Sequence, residues 1–248
     1  MKLLETTLNI VKSRGEQLFL DTSRTYAYTL LAKFGDEKYF VRVSPDVEQI
    51  DNASLKDLKI LSQFTNTSAI CIVSSIRGRI LQRGLFYLKN NVAFVSLATF
   101  IDILDNRPPA FRLSRGVIIA AVDGKKLREK REESRMSLSA LASRLGVSRE
   151  TVYRYEREEV EAPIKVAQKL VSMFGDEVIK KLEINKPEVS PEEIRSREVD
   201  AGVYRLVESH PDAVRAEEKV LFISTNAEKY EKTVELANAL GIEVERSG

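Results

Sequence analysis

The stretch that most constrains this chain is residues 137–152, SLSALASRLGVSRETV. Leu141, Ala142 and Leu145 fall at i, i+1 and i+4 and predict one apolar helical face. Gly146 follows where the chain must bend, at a position that favours positive φ. Val147 is expected to turn back into a core, and Ser148 is a good N-cap for a second helix. That helix is predicted to bury Val152 and Tyr155 and to turn Arg149, Glu150, Thr151, Tyr153 and Arg154 outward. Ala142 supplies the small side chain that two steeply crossing helices need at their contact. Two short helices joined this way form a helix-turn-helix; two unrelated amphipathic helices around a glycine are the weaker reading.

The wider segment 123–183 resembles the five-helix DNA-binding domains of the Cro and lambda-repressor type. Leu127 and Arg131 match the first helix, Ser137 caps the second, and residues 148–156 match the recognition helix. Pro163 and the run Val166, Ala167, Leu170, Val171 and Phe174 match the fourth helix, and residues 176–183 are expected to form the fifth. The family often pairs an arginine of the first helix with the glutamate ending the third, here Arg131 with Glu156. The resemblance implies double-stranded DNA as partner, with Arg149, Glu150, Thr151 and Arg154 reading base edges. It also implies phosphate contacts from Lys125, Ser137, Arg144, Ser148 and Arg157. Single small domains of this kind read two half-sites as pairs, so a homodimer is expected.

At 248 residues and 43% hydrophobic content, the chain is long enough for two domains with real cores. No run of about 18 apolar residues suggests a membrane span, and the first residues lack a signal-peptide block. The single cysteine, Cys71, excludes an intrachain disulfide and a zinc cage and is expected to be a small buried hydrophobe. A cytoplasmic protein without metal or cofactor is expected, and the sequence specifies no effector. Charge is uneven. Residues 106–156 carry 12 Lys and Arg against 6 Asp and Glu, whereas residues 176–248 carry 11 against 17. A basic centre between neutral and acidic flanks fits one phosphate-facing surface.

Taken in order, residues 2–14 predict a helix ended by Gly15. Strands are predicted at 17–21, 26–34 and 38–43, the last two joined at Gly35-Asp36-Glu37 and the third stopped by Ser44-Pro45-Asp46. A helix over 53–64, a doubly buried strand over 69–74, two strands at 84–88 and 92–95, and a helix over 97–105 complete an α/β domain. This order resembles the restriction-endonuclease-like fold. Its active site needs an acid on the second strand and Glu-x-Lys on the third, to hold a divalent metal. Here the second strand has no acid and the third reads Phe40-Val41-Arg42, so the resemblance implies an inactive scaffold, with dimerisation as its expected role.

Residues 106–122 read as a linker around Pro108-Pro109, with 117–122 either a strand or a lead-in and Arg107, Arg112 and Arg115 as possible arm contacts. Residues 184–190 read as a second linker. The remainder, 191–248, predicts a helix at 191–199, strands at 203–207, 220–223 and 242–245, and a helix at 226–240 closed by Gly241. This core is thin and is expected to dock elsewhere on the protein. His210, the sole histidine, reads as a surface loop residue. The fold class is therefore α+β and multidomain: an α/β domain over 1–105, a helix-turn-helix bundle over 123–183 and a small α/β region over 191–248. That layout resembles a family of archaeal helix-turn-helix transcriptional regulators. It implies a sequence-specific regulator that is not an enzyme. RNA binding or a basal-transcription cofactor role stands as the alternative, and a nuclease-related protein comes third.

Overall fold

The structure, a computed structural model, describes residues 2–183 and 186–246. Residues 184 and 185 of the expected second linker, and the ends of the outer segments, lie outside the described residues. The chain opens with α1 (Lys2–Arg14), β1 (Glu16–Leu20), β2 (Leu30–Phe34), β3 (Glu37–Asp46), α2 (Asn52–Phe64) and β4 (Ser68–Ile76). It continues with β5 (Arg79–Ile80), β6 (Leu85–Lys89), β7 (Val92–Val95) and α3 (Leu97–Leu104). Then come β8 (Phe111–Ser114), β9 (Val117–Ala120), α4 (Gly124–Glu133), α5 (Leu138–Leu145), α6 (Arg149–Glu156), β10 (Ala162–Pro163) and α7 (Ile164–Phe174). The last part is α8 (Pro191–Arg195), β11 (Glu198–Asp200), β12 (Val203–Arg205), β13 (Ala213–Ala216), β14 (Val220–Ser224), α9 (Ala227–Leu240) and β15 (Glu243–Arg246).

The first sheet runs β1-β2-β3-β4-β7-β6-β8-β9-β10, with β5 beside β4. Its central pairs β3–β4 and β4–β7 are parallel, and its strands are apolar on both faces as such burial requires. Strand alternation sends successive residues to opposite sides. Ile70, Ile72 and Val41 join Val11 and Phe100 under α1 and α3. Cys71, Val73 and Phe40 join Leu55, Leu58 and Leu61 of α2 on the other side. That second core does not end with the first domain, for it also takes in Leu206, Val214, Phe222, Leu236 and Ala237. The second sheet, β11-β12-β13-β14-β15, thus closes its thin core against α2 and β1. Phe64 stacks on Tyr204 with ring centroids 4.8 Å apart, and Asp57 of α2 accepts the Val207 and Glu208 N–H groups, each at 2.6 Å.

Several elements differ from the sequence expectation, each for a physical reason. Residues 26–29 are not strand, because Ala27 N–H goes instead to Glu208 O at 2.6 Å. The third strand does not stop at 44–46. Pairing with β2 ends at Val41, so the side of β3 that would need a donor from Pro45 has no neighbour, while β4 pairs on through Asp46. The expected linker 106–122 holds the β8–β9 hairpin, and Arg107 and Arg112 are no arm: they pair with Asp102, Asp105 and Glu161. The fifth helix is one 3-10 turn, Asp176–Val178, after which Ile179 bridges to Val122. Residues 198 and 199, expected at the end of a helix, belong instead to β11.

His210 is buried, not exposed. Its Nε2 lies 2.8 Å from Asp21 Oδ2, Tyr26 packs 4.2 Å away, and its backbone oxygen accepts the Tyr28 hydroxyl at 2.7 Å. Burial lowers the imidazole pKa below its ordinary value and outweighs the Asp21 carboxylate, with Lys229 and Arg24 acting in the same direction as burial. The Asp21 carboxyl is pushed up by its own burial, but hydrogen bonds from Ser23 and His210 hold it below the usual range. As pH falls through about 6.5, the unfolded chain takes up a proton that native His210 resists. Thermal stability is therefore expected to be flat above neutrality and to decline on acidification from about pH 7 to 5. In His210→Gln that decline should shrink, as melting curves across the range will show.

Candidate nucleic-acid interface

The reading head is α4 to α7 around one core of Leu127, Leu141, Leu145, Val152, Tyr155 and Leu170. The two serine caps expected from sequence are made, and Asp123 adds a third at the start of α4. Asp123 accepts from Lys126 N–H, Ser137 from Ala140 N–H and Ser148 from Thr151 N–H, at 3.0 to 3.1 Å. Such caps satisfy donors that the first helical turn cannot satisfy itself. Gly146 ends α5 at φ 77° and ψ 37°, the left-handed cap that glycine takes without strain.

Arg131 and Glu156 meet in a two-bond pair, Nε to Oε1 at 2.5 Å and a terminal nitrogen to Oε2 at 3.1 Å. A further Arg131 N–H donates to Met136 O at 2.9 Å. The side chains are 11% and 8% exposed, and the Glu156 hydrogen bond raises the Arg131 pKa above its ordinary value. The pair ties the middle of α4 to the end of α6 and to the turn before α5.

Arg149, Glu150 and Arg154 are exposed on α6, and Thr151 is half-buried with its hydroxyl 2.8 Å from that of Ser148. Lys125, Ser137, Arg144, Ser148 and Arg157 are exposed as well. Among the described residues, no carboxylate pairs with Lys125, Arg144 or Arg149. Two cations are not free: Glu159 lies 2.9 Å from Arg157 and 3.7 Å from Arg154. Arg157 also donates to the Tyr153 hydroxyl at 2.9 Å and sits over its ring.

Three contributors were missed from sequence. Gly124 lies so close to α6 that a Cβ would stand 2.4 Å from Glu156 O; a glycine directly after a capping aspartate was its only signal. Glu158 accepts Gly124 N–H at 3.1 Å and pairs with Lys180. Lys169 donates to Leu145 O at 3.0 Å and so places a cation at the carbonyl end of α5, where the helix dipole favours it. Neither of the last two has a local pattern that would reveal it.

The fold and this head define a class: a helix-turn-helix built onto a nuclease-type α/β scaffold. Residues 1–109 match the PD-(D/E)XK superfamily domain and residues 127–178 the helix-turn-helix family. A "Putative HTH-type transcriptional regulatory protein" of Pyrobaculum aerophilum is 58% identical over 247 residues, 99% of each chain. The chain belongs to this family of archaeal HTH-type transcriptional regulatory proteins. Relatives bearing the same description are 42% identical over 125 residues in Sulfolobus acidocaldarius and 26% over 170 residues in Methanocaldococcus jannaschii. Those alignments cover 50% and 68% of this chain but 39% and 53% of the relatives. No solved structure matches.

The PD-(D/E)XK resemblance implies a divalent metal, and the residues present do not fit one. Phe40 fills the acid position of β3 and is fully buried, and Arg42 follows two residues later. Among the described residues no group of three His, Cys, Asp or Glu side chains is placed to hold a metal. None of their helices is long and apolar enough to cross a membrane.

Removing Arg131 leaves Glu156 with a charge and too little water. Breaking a fully buried pair costs about 3–5 kcal/mol; for this slightly exposed one, Arg131→Ala is expected to cost roughly 2–4 kcal/mol in urea denaturation. Replacing both partners, as Arg131→Met with Glu156→Leu, should cost less than the single change.

Proposed function

We propose that α6 enters the major groove of duplex DNA and that the protein regulates transcription by sequence-specific binding, without a catalytic step. The observation that carries this reading is the exposure of Arg149, Glu150 and Arg154 on one short helix whose opposite face is locked into the core. In this reading Arg149 or Arg154 donates twice to a guanine edge, Glu150 accepts from cytosine N4, and Thr151 offers its methyl to thymine. Lys125, Arg144 and Arg157 meet phosphates, while the first turns of α5 and α6, capped by Ser137 and Ser148, add backbone N–H groups. Arg131 and Glu156 hold the helix in place and touch no DNA. Two copies bind two half-sites, with the flanking α/β parts as the dimer contact.

Selection from a random duplex pool should return a defined site. On that site Arg149→Ala is expected to lose about 1–3 kcal/mol of discrimination at one base pair. Lys125→Ala should weaken all duplexes alike and reduce the salt slope by about 1. Equal retention of every sequence in the pool would remove the specific reading.

In this reading Glu159 competes with the DNA for both arginines it faces, with phosphate for Arg157 and with a base edge for Arg154. Glu159→Gln is therefore expected to tighten binding to all duplexes, with the gain fading as salt is raised, because exposed ion pairs are screened. Anisotropy titrations at two salt concentrations will decide; unchanged affinity at both would show that the pair does not restrain these arginines.

A further inference from the structure

Two hairpins outside the reading head end in the same dipeptide. The turn from β4 to β5 carries Arg77-Gly78 and the turn from β8 to β9 carries Arg115-Gly116, with φ of 51°, 73°, 49° and 83°. Two-residue turns of this hand suit Asn-Gly or Gly-Gly, and a left-handed arginine brings its Cβ too close to the following carbonyl oxygen. The chain thus keeps a guanidinium at two places where the backbone favours another residue. Asp46 fixes the first tip, accepting the Ser75 hydroxyl at 2.6 Å, Gly78 N–H at 2.8 Å and Arg77 N–H at 3.2 Å. The Ser75 bond leads the interactions that hold the Asp46 carboxyl down at about 2.

Both tips border one open groove of about 890 Å³. Leu85, Tyr87 and Leu113 contribute to its apolar lining and Arg77, Arg79 and Arg115 its charge, and among the described residues no acidic side chain lines it. Arg77 has an exposed partner, Glu48, at 3.3 Å; Arg79 and Arg115 pair with no carboxylate among the described residues. Ile80, which lines the groove, is 83% exposed, so a large apolar side chain stands unburied among these arginines. The strand β5 pairs with β4 alone, so its far edge offers unpaired backbone groups.

We propose that this groove docks an extended segment of a partner protein in which carboxylates alternate with apolar side chains. An extended chain sends alternate residues to opposite sides. Its apolar side can cover Leu85, Leu113 and Ile80 while its carboxylates meet the three arginines, and its backbone can add to the edge of β5. Other occupants fit less well. A second copy in symmetric contact would set the arginines against themselves. A nucleic-acid backbone would suit the guanidiniums but leave Ile80 in water and Leu85 and Leu113 without an apolar partner. The proposal is independent of DNA binding by α6.

The test is selection from a random peptide display library on the immobilised full chain, followed by anisotropy titration of an enriched peptide. Enriched sequences are expected to alternate Asp or Glu with Leu, Ile, Val or Phe. Their affinity should fall about tenfold or more in Arg79→Glu with Arg115→Glu, since attraction becomes repulsion, and should also fall in Ile80→Ser. Melting temperatures should hold, because these side chains are exposed. The proposal is overturned if nothing is enriched, if enriched peptides lack carboxylates, or if the variants leave affinity unchanged. It is equally overturned if the variants weaken duplex DNA or change the sedimentation of the free protein, which would assign the groove to nucleic acid or to a second copy.

Discussion

The backbone hydrogen bonds that carry the first sheet through β8 and β9 to β10 are the constraint on which the arrangement depends. Phe111 pairs with Ala120, and Ala120 in turn with Ala162, so one strand belongs to both the α/β scaffold and the helical head. Segment 178–182 reinforces the seam: Asp123 N–H donates to Val178 O, Lys180 N–H to Ala121 O and Leu182 N–H to Pro109 O, at 2.7 to 2.9 Å. A flexible tether would let the head rotate freely. A shared strand fixes its orientation, and a surface patch on the scaffold then keeps a constant position relative to α6.

The buried charges of the first domain find their partners in the C-terminal region. Asp57 and Lys59 of α2 are buried and face Arg197 at 2.9 Å and Glu193 at 2.7 Å. Burial raises the Asp57 carboxyl pKa, with the Glu208 N–H and Arg197 opposing it. A buried charge without a partner is expensive, so the face of α2 needs the C-terminal region as much as that region needs α2 to close its core. Arg42 is the exception. Its Nε has no partner among the described residues, and burial lowers its pKa.

Legibility in the sequence followed range. The capping serines, Gly146, the turn at Gly35-Asp36 and the continuous apolar run of β4 are local signals, and each produced its element. A strand was one of two readings for 117–122, and β9 bears it out; its partner β8 was hidden because the outer neighbours, β6 and the two-residue β10, lie far along the chain, while Pro108-Pro109 is a strong local sign of a break. His210 was misread because its partner Asp21 is 189 residues away. On α6 the exposed side chains could be listed from periodicity alone. The competitor Glu159 could not, since its run of glutamates looks like any solvated face.

That acidic run shows how net charge and available charge differ. Glu158 is taken up by Gly124 N–H and Lys180, Glu159 by Arg157 and Arg154, and Glu161 by Arg112. Several cations of the basic centre are likewise committed: Arg107, Arg112, Arg128, Lys130 and Arg131 all face carboxylates. Those with no carboxylate partner among the described residues are Lys125, Lys126, Arg135, Arg144 and Arg149 around the head and Arg115 on the hairpin. An exposed cation already facing a carboxylate must give up that contact before it can serve phosphate, whereas an unpaired one gives up only water. The ion pairs within the chain therefore divide a diffuse basic segment into a few usable positions, and they do so on both the helical head and the sheet that carries it.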